Sequence, residues 1–269
     1  MTSDILKVSI ITVVHDAAGD FVKTADSVLG QTYPHIEYII IDGGSTDGTV
    51  EVIKRYSGRI SYWISEPDNG IYDAMNKGIK QASGEWILFM NAGDVFTDTQ
   101  VLSHIFLNDH ESEEIIYGDS IADYSQFMVL HKALPLSDLF KGMPFSHQAM
   151  LTKSGLLKTR CFSSSYSIAA DYDLVYRLFR EHKKFLYIPR PFCIFTVSGV
   201  SNQRYLRSLK EMYRINKKYG KNNAGVLLHF GKLLVAVIFA KTGYAVIPRK
   251  MMLWIVKFMN RRNVIGTKC

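Results

Sequence analysis

The sequence predicts an α/β fold: a mostly parallel sheet flanked by helices. Three observations predict it. Short, continuous apolar runs rich in β-branched residues recur through residues 7–94, the pattern of strands buried on both faces. Helix-like stretches separate these runs, and such alternation implies parallel strands joined by right-handed crossovers. Polar residues, several of them carboxylates, follow the runs directly, and ligands in open α/β sheets sit beyond the carboxyl ends of the strands.

Each element follows from its residues. Lys7–Val14 (KVSIITVV) is the first strand, and a helix over about 21–30 stops ahead of Tyr33-Pro34. Ile36–Ile41 is the second strand; it ends at Asp42, and the turn GGSTDG leads into a helix over about 49–56. Ile60–Ile64 is a third strand, followed by the loop SEPDNG. A helix over 71–82 puts Ile71, Met75 and Ile79 on one face and closes at Gly84. Glu85–Met90 is the fourth strand and ends in Asn91-Ala92-Gly93-Asp94. The middle is less regular: strands at Ile115–Ser120 and Gln126–His131, the stretch Phe145–Leu151, a helix over about 170–182, then short strands at Phe185–Ile188 and Phe192–Val197.

Composition and charge narrow the class. In 269 residues, a 47% hydrophobic content excludes a disordered chain, and 7 Pro with 19 Gly exclude a collagen-like one. Cys161, Cys193 and Cys269 share no close spacing, so no disulfide framework or cysteine zinc site is readable, and the thiols fit a reducing compartment. The polar start MTSDILK and the short run after it do not form a signal peptide. The net charge of +7 is uneven: residues 200–269 hold 15 of the 32 Lys and Arg and a single acid, Glu211. Such a tail seeks an anionic surface. Its apolar stretches, 226–240 and 244–259, are interrupted by His229, Lys232 and Pro248-Arg249-Lys250, short of the ~20 clean residues that span a bilayer. Helices lying in the membrane interface fit better, and mixing with long apolar runs argues against nucleic acid. The alternative is a helical layer packed on the body or on a second subunit, so a homo-oligomer is possible. The expected division is 1–200 as the catalytic body and 201–269 as a helical, membrane-associating region, with contact through residues 223–269.

Four strand ends carry polar groups: His15-Asp16, Asp42, Glu66–Asn69 and Asn91–Asp94. The dinucleotide fingerprint GxGxxG is absent after the first strand, and no GxxxxGK[ST] occurs. Repeated carboxylates point instead to a divalent cation and sugar or base hydroxyls, since a bound cation lets acids face an anionic ligand.

The segments VSIITVVHD (8–16), SVLGQTYPHIEYIIIDGGSTDGT (27–49), SEPDNGIYDAMNKGIKQASGEWILFMNAGD (65–94), SHQAML (146–151) and AADYDLVYRL (169–178) together resemble family 2 of the inverting glycosyltransferases, with the GT-A fold. The resemblance is greatest to bacterial enzymes of capsule, exopolysaccharide or O-antigen synthesis. It implies transfer of a sugar from a UDP- or GDP-linked donor to an acceptor hydroxyl, and the basic, apolar tail points to a lipid-linked saccharide at the inner face of the cytoplasmic membrane as that acceptor. The resemblance implies that Thr12 and Val14 line the nucleotide pocket, that Asp42 holds base or ribose, and that Asp68, Lys77 and Asn91 contact the donor. Lys77 could equally be a solvated helix lysine. Asp94 matches the end of the family's metal motif for Mg²⁺ or Mn²⁺, whose first acid is replaced by Ala92. Asp119 is either a further acid or a turn former. Asp171 matches the family's general base, with Asp173 as runner-up, and could also serve as a helix-terminal acid. His147 and Gln148 are implied at the acceptor or the leaving diphosphate, or else are structural. A nucleotidyltransferase-like or other nucleotide-binding enzyme and a catalytically degenerate binding protein are the competing alternatives. A processive synthase is disfavoured because Asn202-Gln203-Arg204-Tyr205 does not supply QxxRW.

Overall fold

A computed structural model of the chain describes residues 6–107, 110–197 and 205–220, with isolated positions beyond, ending in the segment 263–267. The first half runs β1 (Val8–Val14), α1 (Ala18–Leu29), β2 (Ile36–Asp42), α2 (Thr49–Tyr56), β3 (Tyr62–Ser65), α3 (Ile71–Gln81) and β4 (Trp86–Phe89). Strand β1 is buried along its length and lies parallel to β2 on one side and β4 on the other, with β3 parallel to β2. This is the expected parallel core. Alternate side chains of its strands enter two hydrophobic clusters. Ile11, Val13, Ile39 and Ile41 share one with Met75 and Ile79 of α3. Ile10, Tyr38 and Ile40 share the other with Phe21, Val28 and Ile53 of α1 and α2. Gly78 lets α3 lie close on the sheet, because a Cβ there would sit 2.5 Å from Ile11 Cγ2.

The second half adds β5 (Val95–Phe96), α4 (Val101–Ile105), β6 (Ile115–Asp123), β7 (Phe127–His131), β8 (Met150–Lys153), α5 (Ser154–Thr159), α6 (Ala170–Arg180), β9 (Phe185–Thr196), α7 (Tyr205–Tyr219) and β10 (Val264–Thr267). The sheet order is β10-β7-β6-β8-β4-β1-β2-β3, with β9 beside β6 and β5 on β9. Strand β8 runs antiparallel to both β4 and β6, and β6 antiparallel to β7. The sheet is therefore mixed beyond β4. The start of β8 consequently lies beside the end of β4.

Several expectations change. The two short strands expected over 185–197 are one, β9, which stays parallel to β6 through register shifts around Asp119, opposite Pro191; the irregularity absorbs the prolines' missing ladder donors. Of the face expected on α3, Met75 and Ile79 are buried but Ile71 is 39% exposed, and Ala74 and Gly78 complete the buried side. The short helices α4 and α5 carry too few residues to show a period. The C-terminal region is not wholly helical, since β10 pairs with β7 at the sheet edge. Helix α7 docks on α6: Asn216 Nδ2 donates to Tyr172 Oη at 2.6 Å and Tyr219 Oη to Asp173 at 3.1 Å. Among the described residues no helix is long and apolar enough to cross a membrane. The apolar stretches 226–240 and 244–259, expected to lie in a membrane interface, fall largely outside the described residues.

At the amino ends of the strands, Glu37 ties three segments together. It accepts from Ser9 Oγ (2.5 Å), Ser83 N–H (2.7 Å), Ser83 Oγ (2.5 Å) and Lys7 Nζ (2.9 Å). Burial opposes its ionisation, but the Ser83, Ser9 and Lys7 bonds outweigh that and lower its carboxyl to about 2. A carboxyl lowered by folding stabilises the fold above its open-chain value, and the gain is lost as pH falls toward the folded value. Acid unfolding should therefore show a stability loss between about pH 4.5 and 2, and Glu37→Gln should lower the Tm at pH 7 while flattening that loss in thermal melts.

Candidate active site

The carboxyl ends of β3, β2, β1 and β4 open on one rim. On the β1–β3 side the loops are laced by acids. Asp42 accepts from Gly44 N–H (3.1 Å), Ser45 N–H (2.9 Å), Ser45 Oγ (2.5 Å) and Ser65 Oγ (2.6 Å). Asp16, just past β1, accepts from Thr46 N–H at 2.7 Å. A Cβ at Gly43 would lie 2.5 Å from Asp68 Oδ2 and 3.3 Å from His15 Nδ1, so the β1, β2 and β3 ends meet closely there and a larger residue would push the Asp68 carboxylate aside. Lys77 holds the Asp68 loop, donating to Pro67 O at 2.9 Å and pairing with Glu66 at 2.8 Å.

On the β4 side, a single 3-10 turn, His147–Ala149, precedes β8 and delivers His147 and Gln148 to the end of β4. Asn91 Nδ2 lies 3.0 Å from His147 Nε2, and His147 Nδ1 lies 3.5 Å from Asp171 Oδ2. Asp171 stands in the first turn of α6; its Oδ1 accepts from Tyr172 N–H at 2.8 Å and faces Tyr72 Oη at 3.0 Å. Asp94 accepts from Asn91 N–H at 3.2 Å and from the Gln148 side chain. Thr24 of α1 fastens this turn, its hydroxyl donating to Asp94 O at 2.8 Å and accepting from Gly93 N–H at 2.9 Å.

The electrostatics follow from burial and partners. Burial raises the Asp94 carboxyl to about 6, only partly offset by His147 and Gln148. Burial also opposes charge on Asp171, but the His147 hydrogen bond and charge, with the Tyr172 and Tyr72 donors, hold it below the ordinary carboxylate range. For His147, burial is outweighed by Asp171 and then Asp94, and its imidazole is raised. The side chains of His147 and Asp171 keep 19% and 18% exposure, enough for a ligand to reach them. The cluster thus presents an ionised carboxylate, an imidazole raised by its acidic neighbours and a buried, proton-prone carboxyl side by side at the end of β4.

Residues 9–168 match the family described as Glycosyl transferase family 2. The chain belongs to that family. A PGL/p-HBAD biosynthesis glycosyltransferase of Mycobacterium bovis (strain BCG / Pasteur 1173P2) is 31% identical over 177 residues, covering 64% of this chain and 69% of that protein. An uncharacterized glycosyltransferase of Mycobacterium tuberculosis (strain CDC 1551 / Oshkosh) is 29% identical over 230 residues, covering 79% and 85%. Among solved structures, the mannosyltransferase PcManGT from Pyrobaculum calidifontis, in complex with GDP-Man and Mn²⁺, superposes with a TM-score of 0.63 at 15% identity, covering 94% of this chain and 79% of that one. S. aureus TarS 1–349 in complex with UDP-GlcNAc gives 0.62 at 14% identity, covering 92% and 78%. The chain spans 43% of the longer TarS chain it also matches. The fold is that of GT-A glycosyltransferases, and the protein is a glycosyltransferase.

In this glycosyltransferase the structure sorts the expected site residues. Asn91, Asp94, His147, Gln148 and Asp171 converge, and Asp68 stands on the same rim. Thr12 and Asp42 do not line it: both are fully buried. The Thr12 hydroxyl donates to Met90 O at 2.7 Å, and Asp42 is engaged by its own turn and by Ser65 at the end of β3, so both tie neighbouring strand ends together. Val14, expected to meet the nucleotide through its backbone, stands at the end of β1, where its carbonyl accepts from Gly43 N–H at 2.9 Å. Asp173, the runner-up base, is 1% exposed and paired with Arg177 at 3.0 Å, away from the crevice. Asp119 is structural, accepting from Tyr187 Oη at 2.7 Å and Ala133 N–H at 2.9 Å. Tyr72 and Thr24 escaped sequence reasoning, because Tyr72 meets a residue 99 positions later and Thr24 one 70 positions later.

Among the described residues, no three His, Cys, Asp or Glu side chains gather as a metal cluster. The donors at the rim are Asp94 and, three residues away, Asn91, whose Nδ2 faces His147 Nε2 and whose Oδ1 is buried without a partner while the His147 proton sits on Nδ1, toward Asp171. One carboxylate and one unpartnered amide oxygen fit a cation that takes its remaining ligands from phosphate and water.

A carboxyl held at about 6, against 3.8 in the open chain, costs the fold roughly 3 kcal/mol at neutral pH. The penalty is absent below the open-chain value and complete above the folded one. Asp94→Asn should therefore raise the Tm at pH 7, and stability should fall less steeply between about pH 4 and 6 than in the parent protein, read by melts across that range.

Proposed function

We propose that the protein is an inverting glycosyltransferase that moves a sugar from a UDP- or GDP-linked donor to a hydroxyl of a lipid-linked saccharide, in bacterial surface polysaccharide synthesis such as that of capsule or exopolysaccharide. The observation that carries this reading is Asp171: an ionised, partly accessible carboxylate at the helix entrance, joined through His147 to the rim that carries Asp94. Complexes of the two structural neighbours with UDP-GlcNAc and GDP-Man, the latter with Mn²⁺, support a nucleotide-sugar donor across the strand ends.

In this mechanism the acceptor hydroxyl approaches Asp171, which takes its proton as the oxygen attacks the anomeric carbon. The bond to the diphosphate breaks on the opposite face, and one displacement inverts the configuration. His147 keeps Asp171 ionised until the proton arrives. Tyr72 holds the other carboxylate oxygen, its single proton lying between Asp171 and Ile168 O at 2.7 Å. Asp68 reaches the nucleotide, while Lys77 braces the loop that carries it. Asp94, with Asn91 Oδ1, would hold Mg²⁺ or Mn²⁺, which when bound offsets charge on the leaving diphosphate. General-base assistance contributes about 10²–10⁴-fold. Asp171→Asn should thus fold, bind donor normally and lose turnover by about that factor, measured as donor hydrolysis across UDP- and GDP-sugars. Unchanged turnover would remove Asp171 from the role. Donor binding without turnover in the parent protein would favour the degenerate reading.

The division into a catalytic body, 1–200, and a membrane-associating region, 201–269, belongs to the same proposal, with the protein peripheral on the cytoplasmic face and a homo-oligomer possible. Its support is charge. The exposed face of α7 carries Arg207, Lys210, Arg214, Lys217 and Lys218, and the sequence beyond adds further cations without an acid. Each basic residue near an anionic leaflet is worth about 1 kcal/mol. The full-length variant Lys210→Gln/Lys217→Gln/Arg249→Gln/Lys250→Gln should bind phosphatidylserine vesicles roughly 10²-fold or more weakly in co-sedimentation. Equal binding by both proteins would count against the membrane assignment.

A further inference from the structure

The basic segment 200–269 holds one acid, Glu211, and that acid is buried. A buried carboxylate needs partners, and those of Glu211 lie at the entrance to α6. Its Oε1 accepts from Ser167 N–H at 3.2 Å and Ser167 Oγ at 2.9 Å, and its Oε2 from Ile168 N–H at 2.9 Å and Ala169 N–H at 3.1 Å. Arg207, one turn earlier on α7, approaches Oε1 at 3.4 Å. Ala169 occupies the cap position of α6 and makes no side-chain cap bond. Glu211, from another helix and 42 residues later than Ala169, takes the amides of the three residues that lead into α6, Ser167, Ile168 and Ala169, and a buried amide left without a partner is costly.

Asp171 is the second residue of α6. Ile168 is gripped from both sides, its N–H by Glu211 and its carbonyl by Tyr72 Oη at 2.7 Å. The same Tyr72 hydroxyl faces Asp171 Oδ1 at 3.0 Å. A continuous path therefore runs from Glu211 through Ile168 and Tyr72 to Asp171. We infer that Glu211 is a positioning residue for Asp171, fixing the start of α6 so that the Asp171 carboxylate faces the acceptor hydroxyl. This rests on the reading of Asp171 as the base. The carboxylate form matters: a glutamine would set its own NH₂ against one pair of donors. Burial opposes the charge, but the amides of Ile168, Ser167 and Ala169 with the Ser167 hydroxyl keep Glu211 below the ordinary range, so it is ionised throughout the neutral region.

The test uses the full chain and hydrolysis of UDP-GlcNAc, GDP-Man and related nucleotide sugars, with water as acceptor. Misplacing a reacting group by about 1 Å costs about 10²-fold. Glu211→Ala should lower kcat by about 10- to 100-fold with donor KM and nucleotide Kd unchanged, and Glu211→Gln should fall between. In the Asp171→Asn background, Glu211→Ala should cost nothing further, because the residue acts through Asp171. Hydrogen exchange should speed up at the amides of Ile168 and Ala169, and this readout stands when turnover is too low to follow. Should Glu211→Ala not fold, Glu211→Gln carries the same comparisons. Parental kcat in the Glu211 variants, a full loss persisting in the Asp171→Asn background, or unchanged exchange at those amides overturns the inference. If Asp171→Asn itself turns over normally, the base reading fails first, and that result separates the two.

Discussion

Two carboxylates can share the floor of one crevice only if something positive or proton-donating stands between them. Here that group is His147. It faces Asp171 through Nδ1 and Asn91 through Nε2, and its charge acts on Asp94 as well. The effect on the two acids is opposite. Asp171, with His147 and further donors close by, is held ionised. Asp94, more deeply buried and less well served, holds its proton up to about 6. Environments that push two carboxyls apart are what acid–base chemistry at one site requires.

The scaffold delivers these groups because neighbouring strand ends converge. Parallel pairing of β1 with β2 and β4 brings three carboxyl ends to one rim. The reversal into antiparallel β8 then sets the His147 turn beside the end of β4. The acids on the β1–β3 side have a different duty. Asp16 and Asp42 take loop donors across the strand ends, which stiffens the rim before any ligand arrives. Rigidity of this kind lowers the ordering cost of binding.

Helix α7 is two-sided. Its inner face buries Leu209, Glu211, Ile215 and Asn216 against the body, and its outer face is basic. Through Asn216, Tyr219 and Glu211 it supports the helix that carries Asp171. A segment whose sequence speaks mainly of an anionic surface is thus also packed into the body, against the helix that carries Asp171.

By itself the sequence determined the parallel half of the sheet, since buried strands leave unbroken β-branched runs and their loops leave glycine and acid clusters. It determined the family, carried by motifs spread over residues 8–178, and it singled out Asn91, Asp94, His147, Gln148 and Asp171, which the fold brings together. It did not separate ligand contacts from framework: Thr12, Asp42 and Asp173 have the right residue types, yet the fold buries them. It could not anticipate Tyr72, Thr24 or Glu211, because a hydrogen bond across 40 to 100 positions leaves no periodic trace in one chain. Nor did it show that β9 runs through its prolines, which depends on the register shifts of β6 beside it. Local propensity and hydrophobic period are written residue by residue. Which acid meets which donor is decided only when distant segments pack.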